Sequence, residues 1–198
     1  MKKRRKVANP LALAVLAQLL MGPTHPYEMG RWLGETGKDR DIKYNRGSLY
    51  MVVEQLAKAG FIAAQETVRD TERPERTVYA LTDQGGHELS DWMRELVATP
   101  QHEYPQFGVA LSLLTVLSPA ESAELLAQRL AALVDEMDAT RASVRTAVEG
   151  GLASVFLVEE EYRLAVLDTE CCFVTGLIES LKQPDFVRAW KESFARKT

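Results

Sequence analysis

A row of hydrogen-bonding side chains between Asn45 and Ala59 holds the residues best suited to chemistry in this sequence. Read at the helical period, this stretch has one apolar face and one polar face. Arg, Asn, Ser and Gln offer the donors and acceptors that read base edges in a major groove and contact phosphates. The stretch therefore predicts either a DNA recognition helix or an ordinary amphipathic helix with a solvated face. The polar face carries Asn45, Arg46, Ser48, Met51, Gln55 and Lys58, and the apolar face carries Leu49, Val52, Val53, Leu56 and Ala59.

The segments that follow this helix favour the DNA-binding interpretation. Gly60 is a typical helix stop, because glycine accepts the left-handed C-terminal conformation at little steric cost. Ile62 to Arg69 and Arg76 to Leu81 are rich in β-type residues and flank a polar turn, which predicts a β-hairpin. A hairpin directly after a recognition helix is the wing of a winged helix. Arg69, Arg73 and Arg76 lie at or near its predicted tip, where they could meet phosphates or a minor groove.

Two further helices are predicted before the polar stretch. Asn9-Pro10 is a helix start, and an apolar run from Leu11 to Leu20 ends at Gly22-Pro23. A short helix from about Pro26 to Leu33 follows, and a loop with Lys43 near its end leads to Asn45. Three helices in this order predict the core of a helix-turn-helix. We therefore expect DNA contacts from Lys43, Asn45, Arg46, Ser48, Tyr50, Met51, Gln55, Arg73 and Arg76.

The rest of the chain is predicted to be helical. Thr82 is a candidate cap for a helix from about Asp83 to Ala98, and a Pro-containing linker follows. The predicted fold is mainly α with a small β-hairpin wing. We expect an N-terminal winged helix-turn-helix DNA-binding domain over residues 1–98 and a C-terminal long-helix dimerisation and effector domain over residues 103–198.

The C-terminal half contains the longest apolar patterns. After a short helix from Phe107 to Leu117, Ser118-Pro119-Ala120-Glu121 is a capping box that starts a helix reaching Gly150-Gly151. A second long helix is predicted from about Ser154 to Lys182, and a terminal one from Pro184 to Ala195. Rods of about 40–45 Å cannot bury all their apolar surface within a unit whose radius of gyration is about 13 Å. We therefore expect a helical hairpin that packs against a second copy of the chain.

Charge and composition describe a two-part molecule. The 198 residues carry a net charge of -4, but residues 1–58 hold eleven Lys or Arg against five Asp or Glu, and residues 101–198 hold nine against fifteen. A basic front and an acidic back suit a nucleic-acid-facing part joined to a part with another role. The single adjacent pair Cys171-Cys172 indicates a reducing compartment, and no stretch approaches the length of a membrane span. We expect a soluble, cytoplasmic protein.

Motifs for catalysis are absent from the sequence. It has no P-loop, no dinucleotide-binding glycine motif and no Gly-x-Ser-x-Gly elbow, so an enzyme is not expected. His25, His87 and His102 are scattered without a second ligand at metal spacing. We therefore expect no metal and no cofactor.

Three features have two interpretations each. The basic run from Lys2 to Lys6 is either an arm that follows phosphates or a solubility tail. Cys171-Cys172 lies on a long apolar helix, where a thiol usually behaves as a small hydrophobe, and redox sensing is the alternative. Large aromatic residues either line an effector cavity between the two halves or simply pack. These aromatic residues are Trp32, Trp92 and Phe107.

Several short segments, taken together in order and spacing, resemble the PadR family of bacterial transcription regulators over nearly the whole chain. The segments are Tyr27-Glu28, Gly47-Ser48-Leu49-Tyr50, Ala59-Gly60-Phe61-Ile62, Pro74-Glu75-Arg76-Thr77-Val78-Tyr79 and Leu81-Thr82-Asp83-Gln84-Gly85. The long C-terminal half resembles the subfamily in which a helical domain mediates dimerisation. The resemblance implies that Ser48 and Tyr50 contact the DNA backbone and that Arg76 enters the minor groove.

The leading functional hypothesis is a homodimeric DNA-binding repressor. Its partners would be double-stranded DNA with a two-fold-symmetric operator and a second copy of itself, and a small molecule or stress signal would relieve repression. The alternative is a winged-helix adaptor that binds protein partners without reading DNA, since fold alone does not exclude it. The basic bias of residues 1–58 and the wing arginines distinguish the two, because a protein partner would not require them.

Overall fold

The computed structural model describes residues 5–68 and 76–195, with only the backbone described at 66–68, 76, 191 and 193–195. The chain forms two compact units, Met1–His102 and Glu103–Thr198. The described part is mainly helical with one two-stranded antiparallel sheet, which confirms the predicted fold class.

The first unit begins with three helices around one core. They are α1 (Pro10–Leu19), α2 (Pro26–Glu35) and α3 (Arg46–Lys58), with a 3-10 turn at Lys38–Arg40 inside the predicted loop. The Asn9 side chain accepts a hydrogen bond from the Leu11 N–H, as a helix cap should. Apolar faces of the three helices meet in a core that includes Leu16, Met29 and Leu56.

The hairpin consists of β1 (Ile62–Val68) and β2 (Arg76–Leu81), which pair antiparallel from Ile62 opposite Leu81 to Val68 opposite Arg76. One extra residue, Gln65, shifts the register of β1, which is a β-bulge. Thr24 in the α1–α2 loop exchanges two backbone hydrogen bonds of 3.0 Å with Tyr79 of β2. The hairpin is therefore joined to the helical core at its base.

Helix α4 (Asp83–Ala98) begins at a tight joint with the α3–β1 turn. The Thr82 hydroxyl lies 2.7 Å from the Gly60 carbonyl oxygen and accepts a hydrogen bond from the Gly85 N–H at 3.1 Å, which confirms Thr82 as the cap. A Cβ at Gly85 would lie 2.0 Å from the Phe61 carbonyl oxygen. The Leu-Thr-x-x-Gly segment therefore holds α4 against the turn, because only glycine fits at this approach.

The second unit contains α5 (Gln106–Ser112), α6 (Pro119–Glu149), α7 (Val158–Leu181) and α8 (Pro184–Ala195). The expected short helix to Leu117 is wrong in length: α5 ends at Ser112, and a 3-10 turn covers Leu114–Val116. Pro119 disfavours helical geometry at the residue before it, and Ser118 is extended there. Likewise α7 starts four residues later than expected, after a 3-10 turn at Ser154–Phe156.

Helices α6 and α7 form the predicted hairpin, with a core at steps of three and four along each helix. On α5, the ring of Phe107 lies under the Arg129 guanidinium of α6, 3.6 Å from the ring centroid. The Arg129 Nε donates a 2.6 Å hydrogen bond to Glu170 of α7. On α8, the indole N–H of Trp190 donates to the Leu117 carbonyl at 3.3 Å. Both α5 and α8 therefore pack against the core of the α6–α7 hairpin.

None of the helices in the two described stretches is long and apolar enough to cross a membrane.

Candidate nucleic-acid interface

The start of α3 is fixed by a reciprocal pair of side-chain hydrogen bonds. The Asn45 Oδ1 accepts from the Ser48 N–H at 2.8 Å, and the Ser48 Oγ accepts from the Asn45 N–H at 2.9 Å. This capping box satisfies two backbone donors that the first helical turn leaves without partners. Asn45 and Ser48, both expected to contact DNA, are thus also the residues that set where α3 begins and how it enters.

The two faces of α3 differ as the sequence predicted. Leu49, Val52, Val53 and Leu56 are buried against the core. Arg46, Met51 and Gln55 are exposed, with Met51 and Gln55 one helical turn apart, and Lys43 is exposed in the loop before the helix. This front offers a guanidinium, an amide and a flexible apolar side chain to a partner.

A second group of residues, at the N-terminus of α2, lies beside the start of α3. Tyr50 of α3 is half-buried, and the Arg46 guanidinium lies 5.8 Å from its ring centroid. The ring centroids of His25 and Tyr50 are 6.5 Å apart, and the two rings are nearly perpendicular. The His25 Nδ1 accepts from the Tyr27 N–H at 3.1 Å and so caps α2. The amide ends of α2 and α3 and Arg46 thus converge on one surface.

The convergence leaves a shallow cavity of about 330 Å³ between the two helix starts. On its floor, the Tyr44 hydroxyl donates to the Gly30 carbonyl at 3.0 Å. Burial raises the pKa of Tyr44, and the Asp39 carboxylate adds to this, so the hydroxyl stays a donor. Amide N–H groups at helix starts carry a partial positive charge, so this surface favours an anion such as a phosphate. Its lining is Pro26, Tyr27, Gly30, Arg31, Tyr44, Arg46, Leu49 and Tyr50.

His25 and Tyr27 lie on this surface but are not among the DNA contacts predicted from the sequence. Tyr27 is 53% exposed. The signal that was available is His25-Pro26, a capping residue followed by proline at the first helical position, which marks the start of α2.

The arginines predicted to contact DNA from the wing lie at or beyond the ends of the described strands. Arg76 is the first residue of β2 and pairs with Val68, and only its backbone is described. Arg73 and Arg69 lie outside the described residues. Their contacts with DNA stay predictions.

The N-terminal basic run splits into residues with different roles. The Arg5 side chain is buried and donates to the Glu88 carboxylate at 2.6 Å and to the Glu95 carboxylate at 2.5 Å, and its guanidinium lies 5.1 Å from the Trp92 ring centroid. Burial lowers the pKa of Arg5, but the hydrogen bonds to Glu88 and Glu95 and the negative charges of both carboxylates together outweigh this effect and raise it. Lys6 is exposed. Arg5 therefore serves the fold, and residues 2–4 lie outside the description.

The three aromatic residues of the expected effector cavity occupy separate environments. Trp32 is half-buried and lines a cavity of about 190 Å³ with Gln18, Met21 and Thr24. Trp92 is buried beside Arg5 in the first unit, and Phe107 packs under Arg129 in the second. A joint effector site stays a prediction. Among the described residues, no group of three or more His, Cys, Asp or Glu is placed to hold a metal ion.

Comparison with known proteins adds to this geometry. A family model described as "Transcriptional regulator PadR-like family" matches residues 13–91. The "Negative transcriptional regulator PadR" of Bacillus subtilis (strain 168) is 27% identical over 121 residues, which are 61% of this chain and 65% of that protein. The match thus spans slightly less than two thirds of the relative.

Two solved structures share the fold. Bacillus subtilis PadR in complex with operator DNA superposes with a TM-score of 0.63 at 19% identity, covering 85% of this chain and 99% of that one. The same protein in complex with p-coumaric acid gives a TM-score of 0.59 at 19% identity, covering 83% and 98%. The family match covers the winged helix-turn-helix, and over residues 13–91 the chain is similar to PadR-like transcriptional regulators.

Proposed function

We propose that this protein is a sequence-specific DNA-binding repressor that acts as a homodimer. The observation that carries the proposal is α3, whose apolar back is buried while Arg46, Met51 and Gln55 stand exposed on its front. The DNA complex of Bacillus subtilis PadR, which shares the fold, supports it. In a two-fold dimer, each α3 enters a major groove about 34 Å from its mate.

In this proposal the two units of the chain have different roles. Residues 1–98 bind DNA: α3 supplies specificity, and phosphate contacts come from Lys43, Ser48, Tyr50, the start of α2 and the wing residues Arg73 and Arg76. Residues 103–198 supply dimerisation and the response to an effector. The description of the Bacillus subtilis relative as a negative regulator supports repression.

Relief by a small molecule is part of the same proposal. The p-coumaric acid complex of Bacillus subtilis PadR supports a small-molecule response in a protein of this fold. An effector acts here by binding one arrangement of the dimer better than another, so that the two copies of α3 no longer match one turn of DNA. A distance measurement between spin labels on the two α3 helices tests this, and an unchanged separation at saturating effector would contradict it.

The first test is selection of bound duplexes from a random DNA pool by the purified protein at near-physiological salt. We expect a two-fold-symmetric motif with half-sites about one turn apart. If sequencing shows no enriched motif, and no DNA is retained beyond weak salt-sensitive binding, the adaptor function replaces this proposal.

The second test assigns base reading to α3. Arg46→Ala and Gln55→Ala should each reduce discrimination between the selected site and random DNA by about 1–3 kcal/mol if each side chain reads a base bidentately. Lys58→Ala is the matched control, since Lys58 is exposed at the other end of α3 and pairs with Glu54. Equal discrimination by all three variants and the original protein, measured by competition binding, would remove Arg46 and Gln55 from the base-reading set.

A further inference from the structure

Helix α1 buries one polar side chain on its apolar face. Gln18 follows Leu11 and Val15 at steps of four and three, so it lies where the helical period places a core residue. Gln18 is only 9% exposed, and its Oε1 is one of two buried side-chain polar atoms among the described residues that have no hydrogen-bond partner. An acceptor that has left water without gaining a partner costs free energy, so this atom calls for a donor.

Gln18 borders the cavity of about 190 Å³ at the corner between the end of α1 and helix α2. Most of the cavity surface is apolar, and the half-buried Trp32 contributes an aromatic wall. The lining residues include no charged side chain, and they are Gln18, Met21, Gly22, Pro23, Thr24 and Trp32. The cavity therefore combines an apolar aromatic wall with one hydrogen-bond acceptor that has no partner.

Backbone hydrogen bonds hold the walls of this cavity in place. The Gln18 carbonyl accepts from the Met21 N–H at 2.9 Å, which closes the turn after α1. Pro23 has a φ fixed by its ring, and Thr24 exchanges two backbone hydrogen bonds of 3.0 Å with Tyr79 of β2. A ligand would therefore meet a site that is already formed, and it would lose little affinity to the ordering of a loop.

These features define a ligand by its chemistry. A flat aromatic ring suits the wall formed by the Trp32 indole, because aromatic rings stack on one another with an offset. A donor on that ring, either an N–H or an O–H, would satisfy the Gln18 Oε1. The lining offers no charge to balance an ion, so a charged group would lose its hydration without compensation. The cavity of about 190 Å³ is smaller than the roughly 300–1,000 Å³ of sites for drug-sized molecules, so the ligand has one or two rings.

We propose that this cavity binds a small uncharged aromatic molecule that carries one N–H or O–H donor, with the donor bonded to Gln18 and the ring against Trp32. The site lies wholly within the first unit, whereas the effector response of the proposed function belongs to residues 103–198. The proposal therefore goes beyond that function, and binding of the ligand requires neither DNA nor a second copy of the chain.

Indole and benzofuran are a matched pair of probes, because the two molecules share their shape and only indole has an N–H. In titrations of the full chain followed by NMR, indole should bind about tenfold more tightly than benzofuran, the size expected for one hydrogen bond to a buried atom. Equal affinities would overturn the proposal, because the donor would then gain nothing from Gln18. Binding of neither probe at millimolar concentration would also overturn it and would leave water as the only occupant of the cavity.

A single variant locates the bound probe. Gln18→Met removes the acceptor from an unbranched side chain of similar length, and it should bind indole and benzofuran with equal affinity. The variant should fold at least as stably as the original protein, because it removes a buried polar atom that has no partner. Gln128→Met, at an exposed position of α6, is the matched control and should keep the preference for indole. A Gln18→Met protein that keeps the preference would place the probe elsewhere and overturn the proposal, while the proposed DNA-binding function would stand.

Discussion

At the scale of single residues, close approach and buried charge hold the first unit together. Thr82 caps α4 while its hydroxyl also reaches back to the Gly60 and Phe61 carbonyls, and Gly85 lets the helix lie against Phe61. Arg5 joins the N-terminal segment to α4 through Glu88 and Glu95. These contacts fix the end of α3 and the base of the hairpin.

Replacing two adjacent glycines of α4 by alanine should change the stability of the first unit in opposite directions. Gly85→Ala should destabilise the first unit strongly, by more than about 3 kcal/mol, because the new methyl group would overlap the Phe61 backbone and force it to move. Gly86→Ala should stabilise by about 0.5–1 kcal/mol, since a Cβ there meets nothing closer than Leu81 at 3.9 Å. Thermal unfolding followed by circular dichroism measures both, and similar melting temperatures for the two variants would contradict the tight joint.

Arg5 should contribute more to the stability of the fold than its basic neighbour Lys6. Arg5→Ala leaves two carboxylates without their cation, and we expect a loss of roughly 3 kcal/mol, the lower end for breaking a buried pair, since Glu95 keeps some contact with water. Lys6→Ala, at an exposed position, should change the free energy of unfolding by less than about 0.5 kcal/mol. Urea unfolding of both variants is the measurement, and an equal small effect would place Arg5 among the surface charges.

At the scale of elements, α3 is positioned from both of its ends. The capping box at Asn45 and Ser48 sets its start, and Gly60, at a φ of 80°, ends the helix and turns the chain into β1. The buried back holds the helix in the core between these points. The exposed front can therefore change its side chains without changing the position of the helix.

The cap gives a prediction that separates folding from DNA contact at Asn45. Asn45→Ala should cost about 1 kcal/mol of stability, because the Ser48 N–H loses its acceptor, whereas Asn45→Ser keeps an acceptor and should cost little. Both variants remove the amide that DNA would meet. Chemical denaturation and binding to the selected site are measured side by side. If both variants lose stability equally, the cap is not the structural role of Asn45.

At the scale of the whole molecule, charge and helix length are divided between the two units. The basic excess lies in residues 1–58, and the acidic excess lies in residues 101–198, which contain the long hairpin of α6 and α7. In the proposed complex the acidic second half repels DNA, whereas the basic first half attracts it.

This division predicts how binding responds to salt. A dimer that neutralises six to ten phosphates should lose about 10³–10⁵ in affinity between 50 and 200 mM salt. Lys43→Ala, which removes a proposed phosphate contact, should reduce the slope of log affinity against log salt by about one for each such contact, and Lys58→Ala should leave it unchanged. Fluorescence anisotropy over a salt series measures the slopes. A flat response would mean that phosphates contribute little to the complex.

Local signals in the sequence determined most of the elements. Caps at Asn9, Thr82 and Ser118, the stop at Gly60 and the helical period of α3 act within one or two turns, so they can be read without knowing the fold. The division of α3 into a buried face and an exposed face followed from the same period. These signals are short-range, which is why element order was correct while the lengths of α5 and α7 were not.

Tertiary structure decided what depends on residues far apart in the chain. Arg5 looked like part of a basic arm, but partners 83 and 90 residues away bury it. The start of α2 lies beside Tyr50 and Arg46, and this packing places His25 and Tyr27 on the candidate interface. The close approach of Gly85 to Phe61 also depends on how two elements pack. Burial and long-range contact are properties of the packed chain, and no local pattern of residues encodes them.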